Sequence, residues 1–324
     1  MLEVLFNPMI SLIILSLAIL LDILYPLHKG ILLKLHPVHT CYVLALKLAK
    51  PYATKAYGVL IWFICILIHL APFTIFLQVF FMYFKYPWVA LLWLIAVSWI
   101  LKTCFSIRLL IDIGVNVYKC SIKGDWSGAR YWTQQIVRRD VYKLDEEHVL
   151  SACIESIAES LVDGFVSPLF YYSLFSVWGS LIQRLANTLD GAIGFKTPEL
   201  REIGWFSAKM DTILNFIPAR LTALYIILSS LILGYNWRNA LRIYFRDKSK
   251  TVSINAGHPM SAMAGALGVR LEKIGCYGLG DSLKPLEPYD VIKAIKIAML
   301  VIAIHIMLTV MLIVLTHIVY LMLL

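Results

Sequence analysis

Three acids fall four residues apart in Ile154-Glu155-Ser156-Ile157-Ala158-Glu159-Ser160-Leu161-Val162-Asp163. On a helix of about 3.6 residues per turn this spacing sets Glu155, Glu159 and Asp163 along one face, with a drift of about 40° per step. Apolar Ile154, Ile157, Ala158, Leu161 and Val162 surround that line, so it borders a cavity and is not a wholly solvated surface. Like charges at this spacing repel. A hard divalent ion with oxygen ligands, such as Mg²⁺, would offset them. An acidic face wetted by the cytoplasm and paired with Arg or Lys has the same spacing, and the pattern alone does not separate the two.

A second polar cluster runs through Asn187-Thr188-Leu189-Asp190, then Asp211, Asn215, Pro218 and Arg220, with Gly191, Gly194 and Gly204 between. Asp211 and Asn215 are one turn apart and can point together. Arg220 opens an apolar helix, where its guanidinium can grip a phosphate bidentately. Helix capping and a snorkelling Arg explain the same residues as well. Gly257, Ser261 and Gly265, spaced by four in a run of small residues, read as helix packing. The glycines at 275, 278 and 280 match neither a Walker A loop nor Gly-x-Gly-x-x-Gly. Asp22 lies near the inner end of the first apolar run, and His36, in His36-Pro37-Val38 after it, reads as a structural hydrogen-bonder. The chain has no Gly-x-Ser-x-Gly and no His-Glu-x-x-His, so hydrolase chemistry is not indicated.

The elements that must position these residues are membrane helices. Of 324 residues 60% are hydrophobic, against about 45–50% in an ordinary soluble domain. A bilayer core of about 30 Å needs about 20 apolar residues of helix. Residues 9–27, 57–84, 88–111 and 295–324 meet that need, and 165–182 and 217–235 are further spans or re-entrant segments. Pro72 should kink the second span. Met1 to Leu27 lacks a signal peptide's basic start and cleavage site, so it is expected to remain as a membrane helix.

Positive charge stays on the cytoplasmic side. The segments 28–56, 119–150 and 236–250 are all rich in Lys and Arg, which puts the N-terminus outside and a short outer turn at Lys85 to Pro87. Between 150 and 236 the chain then crosses twice or not at all. The net charge of +9 is dispersed through these loops, without the basic stripe and interleaved aromatics of a nucleic-acid binder. The six cysteines show no Cys-x-x-Cys pair and are expected to be free thiols. Without a linker or an internal repeat, the expectation is one domain, 1–324, an all-α polytopic membrane helical bundle with its polar motifs on the cytoplasmic side.

In order and spacing the segments resemble the adenosylcobinamide-phosphate synthase family of cobalamin biosynthesis. The resemblance runs from Leu21-Asp22 and His36-Pro37-Val38 through Arg139-Asp140, Leu144-Asp145-Glu146 and the Glu155 to Asp163 helix. It continues with Asn187-Thr188-Leu189-Asp190, Gly194-Phe195-Lys196, Asp211 and Asn215 to Thr222, and closes with Gly257 to Gly268, Arg270 to Lys273 and Tyr277. Two departures fall in the acidic clusters: Ser160 stands where the family usually has Asn, and Thr212 where it has Asp.

The resemblance implies an ATP-dependent amide ligation of adenosylcobyric acid with aminopropanol phosphate or a related amino-alcohol phosphate, with Mg²⁺ required. Glu155, Glu159, Asp163, Asp190 and Asp211 are then the expected metal ligands. Glu155, Glu159, Asp163, Arg139 and Arg220 would serve catalysis, the two arginines by binding phosphate groups. Asn187, Asp190, Asn215, Lys196, His258 and Arg270 are the expected cofactor-binding positions. The setting would be the cell membrane, multi-pass, with the site facing the cytoplasm, no nucleic acid, and other membrane-associated corrinoid enzymes as neighbours. A transporter would show similar intramembrane acids and broken helices, but normally with inverted repeats, which this chain lacks. A non-catalytic corrinoid-binding scaffold would explain Ser160 and Thr212 as relaxed constraint.

Overall fold

A computed structural model describes residues 2–323; Met1 and Leu324, the two ends of the 1–324 reading, lie outside the described residues. The protein is an all-α membrane helical bundle. Among the described residues its strands are Leu271–Lys273 and Tyr277–Leu279, an antiparallel pair with Glu272 opposite Gly278. The chain divides into two compact units. The first takes Met1–Ser106, Ser167–Leu214 and Met307–Leu324, and the second Ile107–Val166 and Asn215–Ile306.

In the first unit the helix Pro8–Leu24 starts at Asn7, whose side chain accepts from the N–H groups of Met9 and Ile10 at 3.0 and 3.3 Å. Asn7 thereby satisfies two of the donors that a helix start leaves open, and Pro8 follows where its missing N–H costs nothing. Lys55–Met82 and Pro87–Cys104 are long and apolar enough to cross a membrane, as is Pro288–Val319. Pro72 lies inside the first of these, which is one continuous helix.

The helix expected over 88–111 stops earlier, at Cys104, because Phe105 turns extended (φ −136°, ψ 165°). Residues 108–111 instead open the helix Arg108–Ser121, where Arg108 and Asp112 pair at 2.7 Å, a polar start unsuited to hydrocarbon. The segment 165–182 lies largely in the helix Ser167–Ile193, which breaks at Phe175 and Ser176. Ser176 has φ 56° and ψ −157°, a region that side chains avoid. The helices Trp205–Leu214 and Phe216–Ile232 reach spanning length only as one broken pair.

The second unit is organised around Gly257–Leu267, buried at every position. A Cβ at Gly265 would lie 2.6 Å from the Cα of Ala240 and 2.7 Å from the carbonyl oxygen of Asn239. Only glycine allows the helix Trp237–Asp247 to come that close. The Asn239 amide then donates to the Gly265 carbonyl at 2.8 Å. At the end of that neighbouring helix, Asp247 accepts from Arg246, from Lys250 and, at 2.8 Å, from the Gly280 N–H, which ties the hairpin down. Burial pushes the Asp247 carboxyl up, but these three donors outweigh it and hold the group well below the usual carboxylate range.

Candidate functional site

The acidic helix is Glu146–Leu161, started by Asp145, whose carboxylate accepts from the His148 N–H at 2.8 Å. Glu155, only 4% exposed, is the centre of a hydrogen-bonded cluster. Its Oε1 accepts from Arg139 Nη2 at 3.0 Å and Ser151 Oγ at 2.7 Å, and its Oε2 from Tyr277 Oη at 2.6 Å. These donors come from separate segments. Gln134 fixes the backbone around Arg139 by donating to the carbonyls of Val137 and Arg139 and accepting from the Val141 N–H. Ser151 accepts from the Glu272 N–H at 2.8 Å, which brings the hairpin and Tyr277 alongside.

Burial first, then the Glu155 and Glu159 carboxylates, push the Tyr277 phenol up, so it stays a neutral donor. The Arg139 Nε is buried without a hydrogen-bond partner. Glu155 holds the guanidinium in place and leaves that donor to spare.

Glu159 is exposed and Asp163 half-buried. The regular helix ends between them, at Leu161, and a π-turn runs over Val162–Val166. Asp163 sits in this wider turn, and π-turns recur at functional sites. Among the described residues no three His, Cys, Asp or Glu side chains stand close enough to hold an ion by themselves. By exposure Glu159, and after it Asp163, are the carboxylates of this line that face solvent more than Glu155 does. That donor set fits Mg²⁺ held by one or two carboxylates and completed by substrate phosphates.

Also in the second unit, Arg220 Nη1 donates to the Phe216 carbonyl at 2.6 Å and meets Asn255 Oδ1 at 3.4 Å. His258 Nδ1 and Tyr244 Oη are 3.0 Å apart. Burial, then the charges of Arg220 and Lys248, push the His258 imidazole down to about 4. These groups gather positive charge at the N-terminus of Gly257–Leu267, an arrangement suited to phosphate. The same helix reaches the acidic cluster, with Met260 Sδ 3.9 Å from Tyr277 Oη. Arg270 lies outside, paired with Glu272 at 3.2 Å. Asn215 is buried.

The remaining expected residues belong to the first unit. Asn187 donates to Asp211 Oδ1 at 3.1 Å and accepts from Arg184 Nη1 at 3.1 Å, so these two expected residues do meet. The carbonyl of half-buried Asp190 accepts from the Gly194 N–H at 2.8 Å, and Lys196 is exposed.

Residues 15–307 match the CobD/Cbib protein family. This chain belongs to that family. A CobD/Cbib relative from Aeropyrum pernix, named probable cobalamin biosynthesis protein CobD, is 48% identical over 263 residues, 81% of this chain and 81% of its own. One of the same name from Methanothermobacter thermautotrophicus is 41% identical, over 64% of this chain and 69% of its own. The cobalamin biosynthesis protein CobD of Dehalococcoides mccartyi is 39% identical over the same shares. No solved structure matches the chain.

In this CobD/Cbib chain, sequence reasoning missed Ser151 and Arg184 and named Tyr277 only as part of the resemblance. Arg184 carried a usable signal, a lone cation in apolar surroundings. Ser151 and Tyr277 carried none, since their contacts to Glu272 and Glu155 close over 121 and 122 residues of chain.

Proposed function

We propose that this chain is an ATP-dependent amide ligase of cobalamin biosynthesis, joining adenosylcobyric acid to aminopropanol phosphate or a related amino-alcohol phosphate at the cytoplasmic face of the membrane. Family membership and the printed names of the relatives support the pathway. The observation that carries the chemistry is the Arg139 guanidinium, held by buried Glu155 with its Nε spare, on the same helix–hairpin frame as Glu159.

A carboxylate is a poor acyl donor at neutral pH. In the proposed reaction the corrin carboxylate attacks the γ-phosphorus of ATP, ADP leaves, and an acyl phosphate remains. The amine of the amino alcohol then attacks the acyl carbon, phosphate departs, and the amine proton passes to a base. Glu159 and Asp163 would hold Mg²⁺, which supplies charge neutralisation on the triphosphate. Arg139 would stabilise the charge on the transferred group, and Arg220 with the neighbouring cations would bind a phosphate of ATP or of the amino alcohol. Glu155 and Tyr277 are positioning residues: they fix Arg139 and keep the cluster closed.

The test is purified protein with both substrates, ATP and Mg²⁺, with the corrinoid product followed by mass. Amide formation that disappears in Glu159→Gln supports the reading. A well-folded protein that binds corrinoid and forms no amide would contradict it.

A further inference from the structure

The sequence motifs that the proposed reaction leaves unused, Asp22 and His36, meet inside the first unit. Lys102, at the end of Pro87–Cys104 and 3% exposed, donates to the Pro26 carbonyl at 3.3 Å and lies 3.9 Å from Asp22 Oδ1. It also lies 3.4 Å from His28 Nδ1. An ammonium has no lone pair, so in that contact His28 Nδ1 accepts and its ring proton sits on Nε2. That Nε2 is buried with no hydrogen-bond partner, in a side chain only 8% exposed.

A buried N–H left without an acceptor is costly, and native structures seldom keep one. The His36 ring stands edge-on at 4.5 Å, with its Nδ1 also buried and unpartnered. Burial, then the charges of Lys102 and, for His36, of His28 and Arg184 as well, hold the two imidazoles down at about 4 and about 3. Both are neutral at physiological pH. Asp22 sets a buried carboxylate 3.9 Å from Lys102, and beside that pair the His28 Nε2 donor still lacks an acceptor.

We propose that His28, His36 and Lys102 form a buried binding site for a phosphoryl group. Its oxygens supply several acceptors at once, and a lysine ammonium is a point charge suited to them. Carbon has a place beside it. Leu21 and Pro37, the sequence neighbours of Asp22 and His36, and Trp99, whose ring lies 5.9 Å from His28, line an otherwise mostly apolar cavity of about 740 Å³. A phosphate ester with an apolar tail and a small phosphate monoester share the chemistry that these side chains would recognise. The site lies in the first unit, and its existence does not depend on the ligase reading.

The test uses the full chain, first in detergent with inorganic phosphate and phosphoethanolamine titrated by calorimetry. The second arm uses nanodiscs containing phosphatidic acid or only phosphatidylcholine, read by thermal unfolding. His28→Phe keeps a ring and removes the donor; Lys102→Met removes the charge. Saturable binding that weakens about tenfold or more in His28→Phe, the loss of one charge-assisted hydrogen bond, is the expected result. Binding in the soluble arm alone assigns the site to a small ester, and a phosphatidic-acid shift alone assigns it to a lipid headgroup. Should Lys102→Met fail to fold, His28→Phe still decides. No saturable binding in either arm, or equal binding by His28→Phe, would overturn the proposal.

Discussion

Replacing Glu155 with Gln keeps the side chain's shape and removes its charge. The wild-type carboxylate is 4% exposed and takes donors from Arg139, Ser151 and Tyr277, whereas an amide offers one acceptor oxygen. Arg139 loses its ion pair, and either Tyr277 or the Arg139–Ser151 pair then faces an NH₂ group. Breaking a buried pair costs about 3–5 kcal/mol. The Arg139 side chain is 20% exposed, which places the expected loss at the lower end, about 3 kcal/mol.

Tyr277→Phe removes one hydrogen bond to a charged group and should cost about 1.5–3 kcal/mol. Because both changes touch one cluster, the double variant should lose less than the sum, by about 1 kcal/mol. Glu159→Gln, at an exposed position one turn along, should change stability by no more than about 0.5 kcal/mol while it removes turnover. Reversible unfolding in mixed micelles, followed by circular dichroism beside the product assay, reads all four variants. An unfolding midpoint of Glu155→Gln equal to the wild type, or a loss in Glu159→Gln as large as in Glu155→Gln, would refute this reasoning.

Gly265→Ala puts a methyl group 2.6 Å from the Ala240 backbone and should lower stability by about 2–3 kcal/mol, readable in the same unfolding assay. For His258 the folded value, about 4, lies below the 6.5 of a free imidazole, so between those pH values the unfolded chain binds more protons. Its contribution is complete above pH 6.5 and falls away as pH drops towards 4, by roughly 3 kcal/mol in all; His258→Gln should flatten that slope. Asp247→Asn leaves Arg246 and Lys250 facing an amide and should cost about 1–3 kcal/mol, with faster proteolysis of the 271–279 hairpin.

Three of the four expected spans were legible in the sequence because twenty apolar residues in a row have few other uses, whereas 9–27 forms the 17-residue helix Pro8–Leu24, shorter than a bilayer needs. Their ends were less so: the arrest at Cys104 depends on Phe105 turning extended, and no residue type announces that. The acidic helix was legible from its spacing, but the π-turn that holds Asp163 was not. Gly257 and Gly265 were rightly read as packing positions, since each lets a neighbouring backbone come within reach of a Cβ clash. What the sequence hid was long-range. Nothing local links Glu155 to Tyr277, or His28 to a lysine 74 residues later. Lys102 falls inside the expected span 88–111, and the fold buries it against His28 and Asp22.

The central proposal is that ATP activates the corrin carboxylate as an acyl phosphate before the amine attacks. Adenosylcobyric acid labelled with oxygen-18 in its free carboxylate tests this most directly when incubated with purified protein, aminopropanol phosphate, ATP and Mg²⁺. The expected result is one labelled oxygen in the released phosphate, with one amide and one ADP formed per turnover. Amide formed with unlabelled phosphate, or ATP spent without amide, would contradict the account.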